Sequence, residues 1–88
     1  MRIVFSSNGR EDYRHWCDTD VKELRRLNRL IEECRRQPFT GAGKPEALRH
    51  ELSECWSRRL NLKDRLVYRL VGDPDDQTLE IIQCRGHY

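Results

Sequence analysis

Apolar residues recur along the chain with two periods, and the change of period separates helical from extended segments. Arg2-Ile3-Val4-Phe5 is a short β-rich opening and predicts a strand. Asn8 with Glu11 three residues later fits a helix N-terminus, after which Tyr13, Trp16 and Cys17 share one face of a short helix. Asp20 and Glu23 repeat that capping spacing. From there Val21, Leu24, Leu27, Leu30, Ile31 and Cys34 recur at helical intervals. Lys22, Arg25, Arg26, Arg29, Glu32 and Glu33 occupy the opposite face. Pro38 disfavours helix at the residue before it, so this second helix is expected to end near Arg36. Residues 37–46 hold two Pro and two Gly and read as a loop.

Beyond the loop the period drops to two. His50 is expected to begin a strand, and Cys55 to Leu60 puts Trp56 and Leu60 on one face with Ser57 and Arg59 on the other. A turn at Asn61–Asp64 follows. Arg65 to Leu70 alternates with Leu66, Tyr68 and Leu70 one way and Arg65, Val67 and Arg69 the other. Gly72 to Asp76 reads as a hairpin loop, and Thr78 to Cys84 as a last strand apolar enough to be central. Helices bunched before a run of strands imply an α+β fold: two N-terminal helices packed on one face of a small, mostly antiparallel sheet of four to five strands. The other face should display Arg59, Arg65 and Arg69, with Gln83, Arg85 and His87 on one side of the last strand. A single domain over residues 1–88 is expected.

Composition sharpens this picture. A chain of 88 residues buries only about 60% of its unfolded surface, which leaves little room for a deep cofactor pocket. A mean hydropathy of −0.93 with 36% charged residues would suit disorder. Two Trp, three Tyr and two Phe, set in clear periodicity, argue for a folded domain. The net charge of +2 hides an uneven distribution, since residues 41–70 carry seven basic and four acidic side chains. Fourteen of the seventeen basic residues are Arg, whose planar fork matches phosphate oxygens. The charge alone reads as readily as a solvated surface.

The four cysteines show neither C-x-x-C nor zinc-ligand spacing. They read as reduced, small apolar residues, with Cys17 and Cys34 on helix core faces and Cys84 in an apolar strand. No cofactor and no metal are expected. The 37–46 loop lacks the G-x-x-x-x-G-K-[ST] spacing, which argues against a nucleotide P-loop. No signal peptide opens the chain and no apolar run is long enough to span a bilayer, so a cytoplasmic location without membrane association is expected.

The residue inventory suits one reaction class. Cleaving RNA by its own 2′-hydroxyl needs a base for the hydroxyl proton, a cation for the phosphorane and an acid for the leaving 5′-oxygen. The nucleophile belongs to the substrate. Glu46 at the loop exit, Arg65 at a strand start and His87 near the chain end are the candidates, imidazole having a reference pKa of ~6.5. Taken singly, each reads more simply as a solvated surface group. Tyr88 suits base stacking or the edge of the core. His15 and His50 read as structural.

Lys44-Pro45-Glu46, Leu48-Arg49-His50, Trp56-Ser57-Arg58-Arg59, Arg65-Leu66-Val67-Tyr68 and the terminal Cys84-Arg85-Gly86-His87-Tyr88 resemble the YoeB/Txe toxins of the RelE superfamily. Asp12-Tyr13, Trp16, Thr19-Asp20 and the run from Arg35 to Pro45 fit the same pattern, so the resemblance covers the whole chain. It implies a RelE-like microbial ribonuclease fold. It implies a toxin of a type II toxin–antitoxin pair that cleaves mRNA in the ribosomal A site without a metal. Position by position, Glu46 matches the general base, Arg65 the arginine on the scissile phosphate, His87 the general acid and Tyr88 the tyrosine that orients substrate. Arg59 matches a phosphate contact, and Lys44 and Arg49 are further substrate-binding candidates. Arg49 stands where Lys is usual, Ala47 where a second Pro is frequent, and Gly86 where a larger residue is common. The expected partners are mRNA and the ribosome, a cognate YefM/Axe-type antitoxin and, as is common in the family, a second copy of the chain. Two rivals use the same basic face: a non-catalytic RNA- or ribosome-binding inhibitor of translation, and an interaction protein that has lost catalysis.

Overall fold

The computed structural model describes residues 1–86; His87 and Tyr88 lie outside the described residues. In chain order the elements are β1 (Arg2–Phe5), α1 (Ser7–Thr19), α2 (Val21–Arg36), β2 (Glu46–Ala47), a 3-10 turn (His50–Leu52), β3 (Trp56–Arg59), β4 (Arg65–Val71) and β5 (Thr78–Gln83). The strands form a sheet of order β1-β5-β4-β3-β2. Every pairing is antiparallel except β1 with β5. The expected α+β architecture is borne out, and β5, paired on both sides, is central.

The helices begin where side-chain oxygens can take their free N–H groups. Ser6 caps α1 by accepting from the Gly9 N–H at 3.0 Å, two residues earlier than the Asn8 start that the capping pattern suggests. Asp20 serves both helices: its N–H donates to Trp16 O at 3.0 Å, and its Oδ1 accepts from the Glu23 N–H at 3.1 Å. A single residue thus closes α1 and opens α2, which turns the chain sharply and sets both helices on the sheet.

The core lies between the helices and one sheet face. Leu27, Leu30, Ile31 and Cys34 of α2 meet Leu66 and Tyr68 of β4 and Leu79 and Ile81 of β5, with Trp16, Leu60 and Cys84 completing the cluster. The Trp16 indole Nε1–H donates to Cys84 O at 2.9 Å and ties α1 to the end of β5. Two residues depart from the helical pattern. Val21 is exposed at the start of α2. Cys17 is exposed because Tyr13 and Trp16 take the inward stripe, and one residue further turns about 100° around the helix. Cys34, Cys55 and Cys84 are buried, and burial pushes the Cys34 thiol up to about 11 and the Cys84 thiol up to about 12. His50 does not begin a strand. It has a φ of 60° and opens the 3-10 turn, a left-handed conformation that cannot continue an extended ladder. No helix among the described residues is long and apolar enough to cross a membrane.

Candidate active site

The site begins with a buried arginine on the helix side of the sheet. Arg58 is completely buried beside Trp56 and Leu60, the side to which the period-2 pattern assigns core residues. Its Nε donates to Tyr68 Oη at 3.1 Å, Nη1 to Ala42 O at 3.1 Å, and Nη2 to Thr40 O at 2.8 Å and to Gln37 O. Tyr68 Oη in turn donates to Pro38 O at 2.5 Å, and Glu33 Oε1 accepts from the Ala42 N–H at 2.9 Å. Backbone carbonyls through the 37–42 loop therefore converge on one guanidinium and one phenol. Desolvation pushes the Tyr68 hydroxyl up to about 12, against the opposing effect of Arg58.

This anchored loop delivers Glu46. Gly43, with φ 82°, accepts from the Arg59 N–H at 2.8 Å, and an added Cβ there would press on the Arg59 backbone and the Arg58 Cβ. Lys44 follows, also left-handed at φ 52°. Pro45 then leads into β2, where Glu46 pairs opposite Ser57 and Ala47 opposite Trp56. Lys44 and His50 are the two non-glycine residues of positive φ among the described residues, and they bracket the segment that carries Glu46 and Arg49.

Strand register then builds the open face. Directly opposed residues share a face, so Glu46, Ser57, Val67 and Gln83 form one row across β2, β3, β4 and β5, buried at its centre at Ser57 and Val67 and open at the Glu46 end. Arg59 opposite Arg65 forms the neighbouring contribution one step along β3 and β4. With strands about 4.8 Å apart and residues about 3.4 Å apart, the Glu46 Cα lies roughly 8 Å from that of Arg59 and roughly 12 Å from that of Arg65. Extended Glu and Arg side chains can flank one phosphodiester across such gaps. Arg49 and Lys44 are exposed on either side of Glu46, outside the ladder. Arg69, expected as a third free cation of this face, is instead neutralised by Glu80 opposite it, Nε to Oε1 at 2.5 Å. A register shift at Val67/Tyr68 sets this pair apart from the Val67–Gln83 row.

Arg59 and Arg65 carry like charges on directly opposed positions, an arrangement that destabilises a sheet. Among the described residues no carboxylate forms an ion pair with either. Among the described residues Arg65 Nη1 donates to the backbone, to Asn61 O at 3.2 Å and Asp64 O at 3.3 Å. Gly86 is fastened to the same place. The Arg65 N–H donates to Gly86 O at 3.0 Å, and the Gly86 N–H donates to Asp64 Oδ1 at 2.7 Å. Two residues earlier, the Cys84 N–H donates to Asp12 Oδ2 at 3.0 Å. Gly86 has a φ of 80°, so glycine suits the position by its backbone rather than by added freedom. The expected roles of His87 and Tyr88 fall on residues outside the described ones. Two groups escaped the sequence reading: Arg58, which strand parity marked as inward, and Asp64, whose anchoring of Gly86 joins residues far apart in sequence.

The class that these features define is a small α+β protein with helices on one sheet face and an unneutralised arginine pair beside a carboxylate on the other. The same fold occurs in a YoeB/ParE toxin from Agrobacterium tumefaciens, with a TM-score of 0.95, 42% identity and full coverage of both chains. The family described as YoeB-like toxin of bacterial type II toxin–antitoxin systems matches residues 5–88, and the chain belongs to it. A Toxin YoeB of Streptomyces coelicolor is 51% identical over the full length of both chains. A Staphylococcus aureus YoeB has been solved as a dimer, at TM-score 0.86 and 36% identity, and in a heterotetrameric YoeB–YefM complex, at TM-score 0.86 and 35% identity. In both cases the alignment covers 100% of this chain and 98% of that one.

Proposed function

We propose that this toxin is a ribosome-dependent endoribonuclease that cuts mRNA in the decoding site, with the RNA 2′-hydroxyl as nucleophile. The observation that carries the reading is the row geometry: Glu46 shares an open face with the opposed pair Arg59–Arg65, and Gly86 is hydrogen-bonded to the Arg65 backbone. Glu46 takes the 2′-proton as the 2′-oxygen forms its bond to phosphorus. Arg65 and Arg59 hold the phosphorane oxygens, where fixed cations act strongest because charge builds up there. His87, the residue after the anchored Gly86, gives a proton to the 5′-oxygen as the P–O5′ bond breaks. Tyr88 positions the substrate, and Lys44 and Arg49 contact flanking phosphates. The chemistry asks for no metal, since the substrate brings its own nucleophile.

A ribosome holding the message would supply much of the in-line alignment, which a chain of 88 residues has little surface to impose. The site then belongs to the cytoplasm, on a single domain over residues 1–88. A YefM-type antitoxin is the proposed partner and a second copy of the chain the proposed assembly, since the Staphylococcus aureus relative has been solved in both arrangements.

The test combines purified chain, programmed ribosomes and a defined message, with the cut mapped by primer extension. A discrete cut that needs intact ribosomes and disappears in Glu46→Gln and His87→Ala is expected. Inhibition of translation undiminished by Glu46→Gln would favour the non-catalytic binder instead.

A further inference from the structure

A third guanidinium converges on the arginine pair from the helical layer. Arg26 of α2 lines a groove of about 450 Å³ with Arg59, Arg65, Asn61 and Leu62, at the turn between β3 and β4. Among the described residues Arg26 is anchored at one nitrogen: Nη1 donates to Leu60 O at 3.3 Å and stands 3.5 Å from Glu23 Oε1. Glu23 is itself shared, because its Oε2 accepts from Asn61 Nδ2 at 3.1 Å. The Arg26 side chain remains more than half exposed. Three arginines from three separate elements thus face one groove, beside a Glu23 carboxylate divided between Arg26 and Asn61 and an Asp64 carboxylate taken by the Gly86 N–H. Like charges held together with too little counter-charge raise the energy of the free protein, and a bound polyanion relieves it.

We infer that this groove is a second phosphate subsite, in which Arg26 takes an RNA backbone phosphate next to the one held by Arg59 and Arg65. The inference rests on the proposed RNA-cutting function and extends the nucleic-acid track off the sheet, over the β3–β4 turn and onto α2. The phosphodiester is the recognised chemistry. Message and ribosomal RNA both offer it.

The experiment measures binding against salt concentration for two probes. One is a short 2′-O-methyl oligoribonucleotide, which keeps the phosphates and lacks the nucleophile. The other is programmed ribosomes at fixed magnesium. Each lost phosphate contact on single-stranded RNA lowers the log–log salt slope by about 0.7. Arg26→Ala is expected to weaken binding several-fold with that loss of slope, and Arg26→Lys to restore the slope. Arg35→Ala, on the same helix and paired with Glu32 at 2.8 Å, should keep the parental slope. A reduced slope with both probes assigns the phosphate to the message. A reduced slope on ribosomes alone assigns it to ribosomal RNA. Parental slopes for Arg26→Ala with both probes overturn the subsite while leaving the proposed function intact. A parent chain that binds neither probe overturns both.

Discussion

Arg58 and Arg59 follow one another in the chain and meet opposite surroundings on the two sides of the sheet. Arg58 points among core residues, where carbonyls of the 37–42 loop and the Tyr68 hydroxyl occupy its donors. Arg59 points away, opposite Arg65, and no carboxylate of the described residues answers it. Strand alternation decides which is which, and the supply of acceptors decides what each can do. A guanidinium with four of its five donors taken by protein acceptors holds a loop in place. One whose donors face solvent beside another cation is available to an anion. The two are linked, since Arg58 fixes the loop that brings Glu46 onto the face displaying Arg59.

Substitutions can break this contrast. Arg58→Met should remove about 3–5 kcal/mol of stability, because carbonyls and the Glu33 carboxylate lose a buried partner. Arg59→Met should stay within about 0.5 kcal/mol of the parent. Denaturant midpoints decide, and equal losses at the two positions would end the distinction. Next in size, Arg65→Ala should lower the cleavage rate on programmed ribosomes by about 10²–10³-fold, with a near-parental midpoint. A variant that loses activity only in proportion to its loss of fold would make Arg65 structural.

Tyr68→Phe should cost about 1–3 kcal/mol by leaving Pro38 O and Arg58 Nε without their partner. It also has a pH signature. Folding raises Tyr68 from 10.0 to about 12, Cys34 from 9.0 to about 11 and Cys84 from 9.0 to about 12. Raised values mean that the folded state holds these protons more tightly. Their contribution is complete below pH 9 and is lost as pH climbs toward 12. In Tyr68→Phe the decline between pH 10 and 12 should be shallower, leaving the part due to the two thiols. An unchanged decline would mean that the phenol does not carry it. The smallest effect is expected at Asp64. Asp64→Ala, which frees the Gly86 N–H, should slow cleavage about tenfold while Arg65 still holds Gly86 O, and Asp64→Asn should recover most of the rate.

Much of the fold was legible because its signals are local. Asp20 and Glu23 mark the α1–α2 junction, the stripe from Leu27 to Cys34 marks the buried face of α2, and strand parity in β3 and β4 separates the helix side from the opposite side, though not the burial of Ser57 and Val67 on that opposite side. Non-local choices were not legible. Nothing near β1 announces that it runs parallel to β5, and the register shift at Val67/Tyr68 is set by pairing rather than by either strand alone. Glu46 could be placed at a loop exit, whereas its entry into the sheet rests on a two-residue strand too short to show a period. Arg58 was the instructive omission. Its residue type suggests solvent, its parity suggests core, and a loop rich in free carbonyls makes the parity correct.

The central claim is that the open face cuts RNA through the substrate's own hydroxyl, and the ends of the products test it most directly. Message cleaved on ribosomes by the parent chain would be analysed by mass spectrometry. The account predicts a 2′,3′-cyclic phosphate or its opened 3′-phosphate on the upstream fragment and a 5′-hydroxyl on the downstream one. An upstream 3′-hydroxyl with a downstream 5′-phosphate would show that water, not the 2′-oxygen, attacked, and would contradict it.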